Sequence, residues 1–358
     1  MKVNKQIIFD RVYNNTITFI IDLSTDKMSS QNMSPQMQAQ IAQGPPYPPQ
    51  TAGVGGAPTI AVDVGICVVL LVLYICSAAA NMFIYQRNRR LDHFFLPSAL
   101  LFGFSMARIL TFTLRIVWSV DKQNVSLAIA ANIFVNAGVL IVYIVNLLFA
   151  QRILRALQPR VGWHRGLRIF FTALYILIGC SLVLIIVLTV DSSYTLDPAI
   201  HSYAMWIQRG AILYLLLVVS IPFFIVALAF ALPQPETTET FGHGSIRSKA
   251  IILLASTCLC TLIAGFKVGT TWSAPRPASN PAWFHSKPAF YCLLFVPELL
   301  ILVLYTSTRM DLRFHVPNGS SKRQSYAVQE RRGSENDIEE ADSELEKRKD
   351  SELASATA

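Results

Sequence analysis

The sequence predicts an all-α membrane protein: a seven-transmembrane-helix bundle with its N-terminus outside, its C-terminus cytoplasmic and a disordered tail at each end. Three observations predict it. Hydrophobic residues make up 53% of the 358-residue chain and charged residues only 15%, against roughly a quarter charged in a soluble domain. Seven weakly charged stretches recur, near 60–86, 94–118, 124–151, 168–190, 203–232, 248–272 and 288–308. Each is long enough to cross a bilayer core at about 1.5 Å per residue, and with no water in that layer the backbone must satisfy itself as helix. Basic residues, which stay on the cytoplasmic side, crowd one set of connections: Arg87, Arg89, Arg90, Arg152, Arg155, Arg160, Arg165, Arg168, Arg247, Lys249, Arg309, Arg313, Lys322 and Arg323. The opposite set holds Lys122, Arg276 and Lys287.

Taken in order, residues 1–59 form a polar tail ending in "GPPYPPQTAGVGGAP", too poor in apolar surface to fold alone. It is expected to be exterior and disordered. Asn14 in "NNT" and Asn32 in "NMS" match the glycosylation pattern. Met28 opens "MSSQNMSPQM" as an alternative start to Met1, and starting there removes Asn14. "ITFIIDL" is too short for a signal-peptide core, so the first helix is expected to act as signal anchor. The proline pairs around Tyr47 match a PxxP pattern, but the modules that read it are typically cytoplasmic.

Residues 60–310 form the membrane domain, and its embedded polar groups carry the functional information. The first helix holds Asp63 near its outer end. In the second, "FGFSMARILTFTLRIVW", Arg108 and Arg115 stand seven residues apart, about 700° of rotation, so both point along one face with Ser105 and Thr111. Arg108 is expected near the membrane midplane and Arg115 in the outer third. The third helix carries Asn132, Asn136, Tyr143 and Asn146 within an arc of about 80°. Arg209 and the kink-forming Pro222 lie on the fifth helix, and Lys267 on the sixth inside "GFKVG", a GxxxG element that lets another helix approach, expectedly one of the same chain. The seventh has Glu298 directly after Pro297.

A charge at mid-bilayer costs about 2.5 to 3.5 kcal/mol even on gentle scales. Arg108 and Glu298, the two deepest, are therefore expected to pair. Arg115, Arg209, Lys267 and Asp63 lie close enough to the interface to snorkel. A sharper reading gathers all six, four cations and two anions, around an outward-opening cavity suited to an anionic or carboxylated small-molecule ligand.

Connection three, "RILRALQPRVGWHRGLR", can dock a cytoplasmic partner or anionic lipid heads. Residues 311–358 are expected to be a disordered, solvated cytoplasmic tail, mixed in charge beyond residue 333 and open to phosphorylation or partner binding. The charge asymmetry accounts for the net +8 without a nucleic-acid partner. All six cysteines fall in helices, with no exterior disulfide framework, and all six histidines in connections or the tail. No metal site, cofactor motif or catalytic signature is present in the pattern, so an enzyme is not expected. The chain shows no internal repeat of the transporter kind.

The block "LLFGFSMARILTFTLRIVWS" through "LAIAANIFVNAGVLIVYIVNLLFAQRILRALQPRVGWH" resembles a family of fungal seven-helix integral membrane proteins of unknown function, often labelled G-protein-coupled-receptor-like, or family C-like. The resemblance spans roughly residues 60–310. It implies a fungal membrane protein and marks Arg108, Arg115, Asn136, Asn146, Gln151 and Arg152 as family-pattern positions. The expected function is a receptor-like or sensing role with an outward-facing polar cavity, in the plasma membrane rather than an internal one. The alternatives are a transporter or lipid translocator using the same polar residues as a pathway, and a membrane organiser acting through its tails.

Overall fold

The computed structural model describes residues 41–42, 44–49, 51–90, 95–233 and 241–316; Asn14, Asn32, Met28, His93 and the tail beyond 316 lie outside the described residues. Among the described residues, seven helices are long and apolar enough to cross a membrane. They are α1 (Ile60–Arg90), α2 (Leu96–Val120), α3 (Val125–Leu157), α4 (Arg165–Tyr194), α5 (Pro198–Ala231), α6 (Ile246–Trp272) and α7 (Lys287–Ser307). Among the described residues no strand forms, only an isolated bridge between Thr51 and Pro277.

Local chemistry sets the boundaries. Asn124 caps α3 by accepting from the Leu127 N–H at 3.1 Å, Asp197 caps α5 from Ala199 at 2.8 Å, and Ser245 caps α6 from Ser248 at 3.2 Å, each satisfying an orphan donor of a first turn. Because Asp197 and Pro198 start α5 early, His201 sits in its first turn and not in the preceding connection as expected.

Consecutive helices pack side by side, α1 closes on α7, and α3 runs through the middle against α2, α4, α5 and α6. The most apolar window of α3 is accordingly 61% buried, that of α4 only 11%. In α4 the buried residues Phe171, Leu174, Ile178, Ser181 and Ile185 recur at helical spacing, leaving the rest of its circumference, Ile169, Ile176, Val183 and Val187 among it, exposed. An apolar helix so exposed suits lipid.

At one end of the bundle, the N-terminal end, residues expected to be disordered instead form a strap. The N–H of Ala52 donates to Arg276 O at 2.8 Å, that of Gly55 to His285 O at 3.0 Å and that of Tyr47 to Ser193 O at 2.7 Å. At the opposite, basic end the packed chain also outruns its expected limit at 310. A helical turn, Met310–Arg313, folds back, Phe314 is fully buried with its ring 4.1 Å from that of Phe149, and Arg152 donates to the Phe314 carbonyl.

Two expectations about α6 and its flank are corrected. A Cβ built on Gly265 or Gly269 meets nothing within 4 Å, so among the described residues no helix packs closely on the GxxxG element. Lys249, read as a basic residue of a connection, is fully buried and donates to the Phe241 carbonyl.

The charge asymmetry fixes a testable orientation. In a cysteine-free background on intact cells, an impermeant maleimide is expected to label Ser279→Cys and to reach Arg165→Cys only after permeabilisation; the reverse pattern contradicts an exterior N-terminal end.

Candidate functional site

Three polar levels of the core lie along α7, at Tyr291, Glu298 and Tyr305, each seven residues from the next. Seven residues is about two turns, so all three lie on one face roughly 10 Å apart. Arg108 and Arg115 repeat that spacing on α2, which runs antiparallel to α7, so the two registers meet rung for rung.

At the middle rung Arg108 grips Glu298 with both forks: Nε donates to Oε2 and Nη2 to Oε1, each at 2.6 Å. Nη1 donates to the α3 carbonyls of Phe134 at 2.9 Å and Val135 at 3.2 Å. This reach requires Gly138: a Cβ there would lie 2.9 Å from the guanidinium carbon. The regular helical pattern of α3 divides at Gly138, as expected where a side chain inserts into the backbone ladder. Phe104 and Phe295 flank the cation, each centroid 5.3 Å from Cζ. Neither charged group exceeds 1% exposure. The bidentate geometry and the two carbonyl acceptors offset desolvation.

The upper rung corrects an expectation. Arg115 and Asp63 do not snorkel; both are buried, at 2% and 1% exposure. Arg115 donates from Nε to Tyr291 Oη at 3.1 Å and from Nη2 to the strap carbonyl of Gly55 at 3.0 Å and to Asp63 Oδ1 at 3.3 Å, stacked 4.2 Å over Phe290. Asp63 also accepts from Tyr291 Oη at 2.7 Å, from the Thr59 N–H at 2.8 Å and from Lys287. One carboxylate thus ties strap, α1, α2 and α7. The two π-helical segments among the described residues, Ile60–Val64 and Tyr291–Phe295, supply residues to this node.

On the lower rung Asn146 Oδ1 accepts from Tyr305 Oη and from Ser256 Oγ at 3.0 Å, and its Nδ2 donates to Cys260 Sγ at 3.4 Å. Burial raises the thiol contacts' value here, because an unpaired amide in this setting is costly.

Beside the ladder, towards the N-terminal end, α3, α4, α5, α6 and α7 enclose a cavity of about 220 Å³. Asn132, Asn136, Thr189, Gln208, Lys267 and Thr270 give it polar walls, and Val54 of the strap and Phe290 close one side. A slot of about 20 Å³ shares Asn136 and Lys267 and continues deeper along Val139, Leu140, Ile212 and Leu215. Lys267 Nζ donates to Asn136 Oδ1 at 3.2 Å, while Asn136 Nδ2 donates to its own helix at Asn132 O. Arg209 stands outside the lining, donating to Thr271 O at 3.1 Å and lying 5.1 Å over Trp206, an interfacial aromatic setting that fits snorkelling.

Of the residues singled out in the sequence, the structure therefore brings Asn132, Asn136 and Lys267 to a cavity, while Arg108, Arg115, Asn146 and Glu298 are engaged in buried networks away from it. Both guanidinium groups are instead held by protein acceptors, Glu298 and two α3 carbonyls for Arg108, and Tyr291, Asp63 and Gly55 for Arg115. Gly138, Tyr291, Tyr305, Thr59 and Gln208 went unnoticed, and Lys287 was read only as a basic residue of an exterior connection; the seven-residue repeat on α7 and a glycine in mid-helix were the available signals. Outside the membrane-spanning helices, burial and then Arg276 hold the His285 imidazole below its ordinary pKa, keeping it a neutral acceptor for the Ala282 N–H.

These helices define a multi-pass membrane protein. Residues 242–315, which hold α6, α7 and their connection, match the family model described as "Protein of unknown function (DUF3112)". No curated protein and no solved structure matches the chain. The matched segment contains Lys267 and Glu298 but not Arg108.

The strap offers a sensitive test. Gly55 has φ +79° and a Cβ there would fall 2.5 Å from Phe290 Cγ, so Gly55→Ala is expected to cost about 1–3 kcal/mol and lower the thermal midpoint in detergent. Gly53→Ala, with nothing within 4 Å, is the matched control and is expected to be neutral.

Proposed function

We propose that the protein is a receptor-like, sensing membrane protein whose ligand enters the cavity from the exterior at the N-terminal end, in the plasma membrane. The observation that carries this reading is the contrast between the two sets of charges. Arg108, Arg115, Asp63 and Glu298 are paired and buried, whereas Lys267 borders a cavity and has no carboxylate within 4.0 Å among the described residues. An ionisable residue within membrane-spanning helices marks a functional position by default.

The route inward is short. Asn136, which holds the Lys267 ammonium, shares a turn of α3 with Phe134 and Val135, whose carbonyls hold Arg108. A ligand that draws the ammonium away from Asn136 therefore acts on the turn that seats the central ion pair, and through Glu298 on α7 and the Met310–Arg313 turn at the basic end. Coupling of this kind needs only two packings with different ligand affinity.

Sensing is favoured over transport by what lies below the cavity. The Asn146 cluster and the rings of Phe149, Tyr305 and Phe314 fill the centre of the basic half, with Phe149 and Tyr305 edge to face at 5.4 Å. Purified protein in sealed vesicles is expected to leave the flux of labelled amino acids and organic acids, and the flip of fluorescent lipids, at the level of empty vesicles. Protein-dependent movement of any of them would instead establish a carrier or translocator.

A further inference from the structure

We propose that the cavity binds a small organic monocarboxylate, its acid group on Lys267 and a short apolar group in the slot beneath. This rests on reading the cavity as a ligand site and names the ligand's class. An ammonium has three N–H donors. Asn136 Oδ1 takes one, and its own amide nitrogen is committed to Asn132 O, so Asn136 fixes the ammonium without neutralising it. Two donors have no acceptor among the described residues.

Charge and shape exclude other classes. The lining contains one cation and no carboxylate, so a cationic ligand is repelled and an anion is drawn in. A polyphosphate needs several basic groups, and Lys267 is the one basic residue in the lining. The walls above Lys267 carry amide and hydroxyl groups among apolar ones, and those of the slot below are aliphatic apart from Tyr143. A slot of about 20 Å³ admits little more than one water-sized group, which suits the end of a short alkyl chain and not a long acyl tail.

Hexanoate is a suitable probe, with hexanamide as its neutral counterpart. Full-length protein in phosphatidylcholine nanodiscs is titrated with each by ligand-observed NMR, empty nanodiscs being subtracted. The expected result is saturable hexanoate binding, with hexanamide weaker by about tenfold or more, as for loss of one charge-assisted hydrogen bond. Lys267→Met is expected to weaken hexanoate by a similar factor, and Lys267→Arg to keep the preference for acid over amide. Absence of saturable hexanoate binding, equal binding of hexanamide, or unchanged affinity in Lys267→Met would overturn the proposal. The acid-to-amide comparison on the unaltered protein decides even if Lys267→Met does not fold. Failed titration with tight vesicles removes the ligand class alone, whereas protein-dependent hexanoate uptake, above that of empty vesicles, removes the sensing reading and keeps the class.

Discussion

A guanidinium and a carboxylate clasped at 2.6 Å on both forks, in the middle of an apolar bundle, are the constraint on which the remaining structure depends. Neither charge tolerates hydrocarbon alone, and each reaches the other only if α2 and α7 lie antiparallel in one register. Arg108 also presses on α3, so the pair fixes three helices and not two. The glycine at 138 follows from that contact, as does the division of α3 at that point.

The same register carries the clasp along the bundle. Seven residues towards the N-terminal end on α2 match seven residues back on α7, which places Arg115 against Tyr291. Asp63 then joins this rung and draws in the strap through Thr59 and Lys287. Seven residues the other way, Tyr305 reaches Asn146 on α3. Polar groups that would each be costly in lipid are thus stacked where every one meets another. Lys267 stands apart from this column, beside it and against a cavity, and that separation gives it a role distinct from the arginines.

Helix number and type were legible in the sequence because twenty apolar residues in lipid leave a chain one solution. The pairing of Arg108 with Glu298 was legible from depth alone. Arg115 and Asp63 were misjudged because depth also suggested an easy reach to water, and nothing local told that a glycine-rich strap would cover them. The strap itself was read as a disordered tail: its composition is poor in apolar residues, and its order comes from Arg276, His285 and Arg115, far away in sequence. The cavity could not be located from helix periodicity, since its walls come from five helices whose relative rotation is set by packing. Asn132 and Asn136 were on the right face, but which polar face meets lysine and which meets a carbonyl is a tertiary matter.

The most direct measurement of the central constraint is a double-mutant cycle on the clasp, with Arg108→Met, Glu298→Leu and both together unfolded at equilibrium in mixed detergent. Each single change strands a buried charge and is expected to cost about 3–5 kcal/mol, while the double variant loses much less than the sum. Additive losses would show that the two groups do not depend on each other, and the bundle would then owe its register to something else.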